Sequence, residues 1–358
     1  MISVLIPAYN AENSISKSLD SVFDQTYKDI EVIAVDDGSK DNTLKVLNEY
    51  AQKEPGLTVL HQENSGVSIA RNLAISKAQG DYIFFLDADD TLEKDALEIL
   101  LRSMESEGCD WVSCQYSRWD EEGNRLEDFE FNTGIRSFKN DEERARFATE
   151  EFLIYKVGYE VWDKLYRRDV IIGNNILFSP KCRIGEDLSF NLKYLSCAKK
   201  LNMIPDRCVK YRISENSAMG NLKDYATKVN ENILLLEDYY EYIDQNSHEG
   251  LKDAYILYVL RIMDSCYVMH TPKEVTSALL QSSERPFLKQ AYKDLNRKKD
   301  DIINMYDENI GFPKYRYHMY VYLKMTNGRY YDKIMSFAYD SYRRLKKRMP
   351  ICDWKMPY

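Results

Sequence analysis

The 358-residue sequence lacks a cysteine pattern, a long apolar run and an excess of positive charge. Its seven cysteines are scattered without a Cys-x-x-Cys pair, which argues against a disulfide framework and a zinc site. No apolar stretch approaches the ~18 residues needed to cross a bilayer, and no basic segment opens the chain, so we expect neither a membrane span nor a signal peptide. The net charge of −9 argues against indiscriminate nucleic-acid binding. Reduced thiols in a cytoplasm fit this composition best.

Two glycine-rich sequences that commonly hold phosphates, GxGxxG and GxxxxGK[ST], are also missing. A nucleotide bound by this chain must therefore be held in another way. We expect a metal ion to neutralise its phosphates and aspartates to bind polar atoms of its base or ribose.

The first ninety residues, in contrast, carry a strong pattern in which short apolar strands alternate with amphipathic helices. Strands are expected at Ile2–Ile6, Ile30–Val35, Leu57–His61 and Tyr82–Leu86, with a helix after each of the first three. This alternation predicts an α/β fold with a parallel sheet covered by helices on both faces.

Polar loops follow three of these strands, at Pro7–Glu12, Asp36–Asp41 and Asp87–Asp90. A parallel sheet brings the carboxyl ends of its strands to one edge, so the loops should share a crevice. The last loop places three carboxylates directly after a buried strand, and a hard divalent cation would relieve their repulsion. The alternative is that Asp90 or Thr91 caps a helix over Leu92–Leu101, and the loop alone does not decide between the two.

Four segments in register resemble the motifs of the family 2 glycosyltransferases of GT-A fold. They are Pro7–Asn10, Val35–Ser39, Asn64–Gly66 with Ala70–Asn72, and Asp87–Asp90. The resemblance covers residues 1 to about 105 and implies a Rossmann-like, mostly parallel sheet flanked by helices. It also implies a nucleotide-sugar donor, usually a UDP-sugar, and Mn²⁺ or Mg²⁺ held through a DxD-like sequence.

The resemblance assigns donor contacts to eight positions, which are Ala8, Tyr9, Glu12, Asp37, Gly66, Arg71, Asp87 and Ala88. Among them, Asp37 should contact the uracil, Arg71 should lie over the ribose and phosphates, and Asp87 should face the ribose. Asp89 should be the direct metal ligand. The alternative for Arg71 is an ordinary surface cation on a helix.

Gly185–Asn191 resembles the ED motif of the same family, in which the aspartate accepts the proton of the acceptor hydroxyl. Asp187 is therefore the predicted catalytic base, and Glu186 is expected to orient it. The alternative is that Asp187 only caps the helix that follows.

Two segments are expected near the acceptor. Trp162–Tyr166 resembles a family segment that often lies there, although Trp162 and Leu165 could equally pack at helical spacing. The polar, acidic stretch Arg118–Asn140 is either a lid facing the acceptor or an ordinary excursion of the sheet.

The pattern changes after Asn221, where apolar residues recur at helical spacing. We therefore expect a catalytic domain at residues 1–220 and a helical domain with a basic tail at 221–358. The basic run Arg343–Arg348 suggests peripheral contact with an anionic membrane, with a solvated tail or a homo-oligomer contact as alternatives. Ser214 stands where many relatives have a histidine, so Arg212 or Ser217 is the candidate for assisting the diphosphate.

The sequence thus predicts a bacterial, metal-dependent, inverting glycosyltransferase of hexosyltransferase type. Its acceptor would be a glycan or a lipid-linked sugar in polysaccharide or surface-glycan synthesis, at the cytoplasmic side of the plasma membrane. A nucleotidyltransferase and a non-catalytic sugar-nucleotide-binding or scaffold protein are the alternatives. The pattern does not specify the sugar, the acceptor, the linkage or the oligomeric state.

Overall fold

The computed structural model describes residues 1–153, 155–182, 185–213, 225–248 and 251. One compact unit comprises Met1–Glu215 together with Glu241–Leu251, and the residues between them belong to a second unit.

Several sequence predictions lie outside the described residues. They concern the roles of Ser214 and Ser217, the helical segments expected beyond Leu251, and the basic run Arg343–Arg348. The proposed division into 1–220 and 221–358 remains a prediction.

Strands and helices alternate along the described part of the chain. In order they are β1 (Ile2–Ala8), α1 (Ile15–Phe23), β2 (Ile30–Asp36), α2 (Thr43–Ala51), β3 (Leu57–His61), α3 (Val67–Lys77), β4 (Tyr82–Phe85), β5 (Thr91–Leu92), α4 (Ala96–Glu107), β6 (Trp111–Trp119), β7 (Gly134–Ser137), α5 (Asp141–Phe147), a π-helical turn (Ala148–Phe152), β8 (Lys164–Arg167), α6 (Arg168–Gly173), α7 (Glu186–Cys197), β9 (Lys200–Arg212) and α8 (Tyr225–Gln245). The predicted strands of the first ninety residues agree with these bounds within two residues.

All the described strands join one sheet, in the order β3-β2-β1-β4-β8-β6-β9-β5, with β7 also paired to β9. Strands β3, β2, β1 and β4 run parallel, as the alternating pattern predicted. Strand β8 runs antiparallel to both β4 and β6. The first residues of β8 therefore lie beside the last residues of β4, at the edge where β1, β2 and β4 all end.

The core lies on both faces of the parallel half of the sheet. All seven residues of β1 are buried, as expected for a central parallel strand covered by helices on either side. On one face, Phe85 of β4 packs edge-on against Phe178 and Phe190. This aromatic packing fixes α7 against the end of β4, which brings the start of α7 to the same edge of the sheet.

The structure corrects two helix predictions. Thr91 and Leu92 do not begin a helix, because they pair as strand β5 with Lys210 and Val209, and α4 starts only at Ala96. The spacing of Phe147, Phe152 and Leu153 also predicts a helix over Asp141–Tyr155, but the α-helix ends at Phe147 and a π-helical turn follows over Ala148–Phe152. Asp90 accordingly caps no helix.

The acidic stretch Arg118–Asn140 is only partly irregular. Its residues Gly134–Ser137 form β7 against β9, as an excursion of the sheet would. Nearer its start, Trp119 forms an isolated bridge with Arg125. The role of Arg118–Asn140 as a lid facing the acceptor remains a prediction.

Among the described residues, no helix combines the length and the apolar character that crossing a membrane would require.

Candidate active site

The loops after β1 and β2 meet at the carboxyl edge of the sheet. Ala8 is paired with Asp36, and the carbonyl oxygen of Ala8 accepts a hydrogen bond from the Asp37 amide at 2.8 Å. Tyr9 follows with 44% of its surface exposed, so its ring is accessible to a ligand. Ala8 and Tyr9, two of the predicted donor contacts, thus lie next to Asp37, a third.

Asp37 joins these loops to the start of α3. Its Oδ1 accepts from the amide of Ser65 and the side chain of Gln62, and its Oδ2 accepts from the amide of Gly66. The carboxylate is 3% exposed and is largely occupied by these bonds. Its Oδ2 has a single hydrogen bond and retains capacity for one further donor, such as a base N–H.

Glycine is required where the two loops approach. Gly38 has a φ of +70°, and a Cβ atom added there would lie 2.6 Å from the backbone nitrogen of Asn64. Gly66 has a φ of +93° at the start of α3 and faces open space. The missing side chain at Gly66 leaves the helix amino end accessible.

Glu12, another predicted donor contact, binds within the loops of the described structure. Its Oε2 accepts from both the amide and the side chain of Asn42, at 2.9 and 2.8 Å, and its own amide donates to Asp41. These bonds fasten the loop after β1 to the start of α2. Within the described residues, Glu12 is therefore engaged in loop structure.

Arg71 of α3 is the hub of the site, and the alternative of a surface cation is wrong because its side chain is only 3% exposed. Nη2 donates to Asp87 at 2.9 Å, and Nη1 donates to Asp187 at 2.6 Å and to Glu186 at 3.3 Å. One guanidinium thus joins the loop after β4 to the start of α7.

Glu186 and Asp187 are buried beside this guanidinium, and both burial and neighbouring charge alter their acidity. Burial, followed by the charge of Asp187, raises the pKa of Glu186 to about 7. Burial also raises the pKa of Asp187, while Arg71 opposes that rise. Burial thus favours the protonated form of both carboxyl groups, whereas the charge of Arg71 favours their ionised forms.

Among the described residues, Asp187 makes no hydrogen bond that would identify it as a helix cap. It is the second residue of α7, and Gly185 occupies the capping position with a φ of +75°. Its Oδ1 faces Arg71, and its Oδ2 accepts from the Val161 amide at 3.3 Å. Both oxygens are thus oriented by groups outside their own helix.

The three carboxylates of the loop after β4 differ in their exposure to solvent. Asp87 is bound to Arg71, Ala88 is buried, and Asp89 is exposed. Asp90 is buried, and its Oδ1 accepts from the amide of Arg212 on β9. Desolvation by neighbouring groups, followed by the charge of Asp87, raises the pKa of Asp89 to about 6.

The chemistry of this loop fits a divalent cation. Asp90 Oδ2 is buried without a hydrogen-bond partner among the described residues, and Asp87 adds a second negative charge beside the accessible Asp89. No group of three or more His, Cys, Asp or Glu side chains in the described ranges is placed to hold a metal. An ion on Asp89 would therefore need oxygen atoms from a ligand, and diphosphate oxygens suit Mn²⁺ or Mg²⁺.

Sequence reasoning missed a buried polar cluster beside Asp187. Lys164, at the start of β8, is fully buried and pairs with Asp163 at 2.6 Å. Burial raises the pKa of Asp163 to about 7 even beside this ammonium group. Glu160 Oε1 accepts from Tyr155, while its buried Oε2 has no partner among the described residues. Only the position of Lys164 inside an apolar segment could have indicated burial.

Aromatic rings line the neighbouring wall. Trp162 stacks on Tyr211 with ring centres 4.9 Å apart and an interplanar angle of 11°. Trp162 is not in a helix, so the predicted packing at helical spacing is wrong. The carboxylates of Asp90, Asp87 and Asp89 help to raise the pKa of Tyr211, which places this stack beside the acidic loop.

The sequence matches the family described as "Glycosyl transferase family 2" over residues 3–160. An uncharacterized glycosyltransferase of Bacillus subtilis, EpsJ, is 28% identical over 303 residues, which are 81% of this chain and 86% of EpsJ. The Streptococcus pneumoniae glycosyltransferase GlyG is 30% identical over 230 residues, which are 61% of this chain and 73% of GlyG.

Among solved structures, the S. aureus protein TarS 1–349 in complex with UDP-GlcNAc is similar with a TM-score of 0.64 at 19% identity. The match covers 86% of this chain and 88% of that chain. At this identity the likeness establishes the fold, and it confirms the predicted GT-A architecture.

Proposed function

Because this chain belongs to the family 2 glycosyltransferases, we propose that it moves a sugar from a UDP-sugar donor to an acceptor hydroxyl with inversion of configuration. The family membership confirms the predicted enzyme class over a nucleotidyltransferase or a non-catalytic binding protein. The UDP-GlcNAc complex of TarS supports a UDP-sugar as the donor.

One observation carries the mechanistic part of this proposal. Asp187 is joined to Asp87 through Arg71, so the candidate base and the candidate donor loop lie within one hydrogen-bonded group. Gly66, the residue before α3 whose amide Asp37 binds, lies five residues before Arg71, or ~7.5 Å along a helix. The loops after β2 and β4 and the start of α7 are therefore close enough to serve a single ligand.

In the proposed reaction, Asp187 accepts the proton of the acceptor hydroxyl as that oxygen attacks the anomeric carbon. Attack occurs from the face opposite the diphosphate, so one displacement inverts the configuration. Arg71 and the Val161 amide orient the two oxygens of Asp187 toward this task. Asp37 and Tyr9 would bind the base, and Asp87 would face the ribose.

A divalent ion held by Asp89 would stabilise the negative charge of the departing nucleotide. The protein's own part is to present that carboxylate beside Asp87 at the end of β4. Arg212, whose charge acts on Asp89, would lie near the diphosphate.

We further propose a glycan or lipid-linked sugar as the acceptor, in the synthesis of a surface polysaccharide at the cytoplasmic side of the membrane. The family resemblance supports this setting.

The decisive experiment is Asp187→Asn. The amide keeps the shape of the side chain but cannot accept the acceptor proton, so we expect UDP release to fall by at least about a hundredfold. UDP-sugar binding, measured by calorimetry, should change little. The exposed Asp95 before α4 offers a matched control, Asp95→Asn, which should retain full activity. If Asp187→Asn loses donor binding instead, Asp187 belongs to the donor site.

A further inference from the structure

A single peptide group connects Lys164 with Asp187. The carbonyl oxygen of Glu160 accepts a hydrogen bond from Lys164 Nζ at 2.6 Å. The amide of the same group, the N–H of Val161, donates to Asp187 Oδ2 at 3.3 Å. Because the two bonds lie at opposite ends of one delocalised amide, each polarises the group in the direction that strengthens the other.

The side chain of Asn191 holds this peptide group in place. Its Nδ2 donates to the carbonyl oxygens of Tyr159 at 2.8 Å and Glu160 at 3.3 Å. Its Oδ1 accepts from the hydroxyl of Tyr166 at 2.6 Å. Asn191 lies on α7, one turn after Asp187, so the helix that carries Asp187 also fixes the direction of the amide that binds it.

The ammonium group of Lys164 is suited to act on this peptide group. It is fully buried, and within the described residues it donates hydrogen bonds to Asp163 Oδ1 and to the Glu160 carbonyl. A buried charge of this kind is costly to desolvate, and its attraction for nearby groups is weakly screened. The orientation of the Glu160–Val161 peptide therefore depends strongly on this cation.

We propose that Lys164 is a positioning residue for Asp187, acting through the Glu160–Val161 peptide group to orient the carboxylate and stabilise its ionised form. The inference rests on the proposed role of Asp187 as the proton acceptor. It assigns to the Trp162–Tyr166 segment a task in base activation in addition to any contact with the acceptor.

Several other charged groups face Asp187, and they clarify what Lys164 adds. Arg71 lies on α3, Asp87 follows β4, Glu186 lies on the same helix, and Glu160 precedes β8. Arg71 is the only other cation in this set and is shared among three carboxylates. The charge of Lys164 lowers the pKa of Asp187, in the same direction as the hydrogen bond from Val161.

The test is a direct titration of Asp187 in the full-length protein without donor or acceptor. Aspartate is labelled with ¹³C at the side-chain carboxyl, and the infrared signal that is absent from Asp187→Asn is followed against pH. In Lys164→Met, which keeps the side-chain length and removes the charge, we expect the midpoint to rise by about one pH unit.

A matched control is available on α7 itself. Lys193 is also buried, and its Nζ donates to a backbone carbonyl, that of Leu177, at 3.0 Å. Lys193→Met removes a buried ammonium without touching the Glu160–Val161 peptide. It should leave the midpoint of Asp187 within about 0.2 units of the wild-type value even if the protein is less stable.

Lys164→Met leaves the buried Asp163 carboxylate without its ion-pair partner, which could destabilise the protein. The double variant Asp163→Asn with Lys164→Met removes both charges and avoids this effect. A second variant replaces Val161 by its α-hydroxy acid, which turns the amide into an ester and deletes the N–H donor. Both should raise the midpoint of Asp187. An unchanged midpoint in the folded double variant and in the ester would overturn the proposal.

The two proposals fail in different ways. If Asp187→Asn retains sugar transfer, the assignment of Asp187 as the base fails, whatever the titration gives. If that variant is inactive while Lys164→Met leaves the titration unaltered, the base assignment stands and the role of Lys164 is refuted.

Discussion

At the scale of single residues, the site depends on the guanidinium of Arg71, which forms ion pairs with three carboxylates. Sequence reasoning named Asp87, Arg71 and Asp187 as candidates, because each lies in a recognisable motif. It could not show that Arg71 binds the other two, since the residues are 16 and 116 positions away along the chain. The burial of Lys164 was not predicted either, because only its position within an apolar segment indicated it.

The carboxyl group of Glu186, one of the three beside Arg71, should make the stability of the protein depend on pH. Its pKa is about 7 in the folded protein against a reference value of 4.5, so the folded state holds a proton that the unfolded state has released. The stabilisation is complete below the unfolded value and is lost as pH rises toward 7. Thermal melts of the metal-free protein should therefore show a decline between pH 5 and 7.5 that is smaller in Glu186→Gln. The exposed Glu142→Gln is the control and should follow the wild type.

Asp89 provides the residue-scale test of metal use. Asp89→Ala removes the accessible carboxylate, so Mn²⁺ should no longer increase the melting-temperature shift produced by UDP-GlcNAc or another UDP-sugar. In the wild type, EDTA should abolish the same increase. The exposed Glu121→Ala should behave like the wild type. Metal-dependent binding that survives in Asp89→Ala would refute its assignment as the ligand.

At the scale of elements, prediction succeeded where a segment was long and periodic. The bounds of the first four strands were predicted within two residues, because β1, β2 and β4 are mostly apolar segments that are largely buried. Strand β5 was missed because two residues carry no period, and it forms only through pairing with β9, more than a hundred residues later. Strand β8 was missed for a related reason, since its antiparallel neighbours β4 and β6 are distant in sequence.

Gly38 tests the junction between the loop after β2 and the loop before α3. In Gly38→Ala the new Cβ would meet the backbone of Asn64 at 2.6 Å, at a φ of +70° that L residues rarely adopt. We expect a loss of about 1–3 kcal/mol in unfolding free energy, together with weaker UDP binding because Asp37 is displaced. Chemical denaturation and calorimetry measure the two effects.

Gly173 is the matched control, since nothing lies within 4 Å of a Cβ added there at the end of α6. Gly173→Ala should leave both stability and UDP binding nearly unchanged. Equal behaviour of the two variants would show that the junction tolerates a side chain and that the loops adapt.

At the scale of the whole molecule, the predicted boundary at residue 220 can be tested against the end of α8. Tyr242 and Ile243 of this helix are buried, and the Tyr242 hydroxyl donates to the carbonyl of Asn174 at 3.3 Å. His248 lies 3.4 Å from Asp141. A fragment of residues 1–251 keeps these contacts, whereas a fragment of residues 1–220 loses them. We expect the longer fragment to melt at a clearly higher temperature, and equal melting would favour the boundary at 220.

The reversed direction of β8 has a consequence for how such an enzyme could change its acceptor. The donor-side loops all follow strands, whereas Tyr155–Asp163 precedes one, yet both kinds of segment reach the same rim. Under the proposed function, exchanges in Tyr155–Tyr159 would reshape the acceptor side without altering the turns after β1, β2 and β4. The Glu160–Val161 peptide limits such changes, because its amide must keep the orientation in which it binds Asp187.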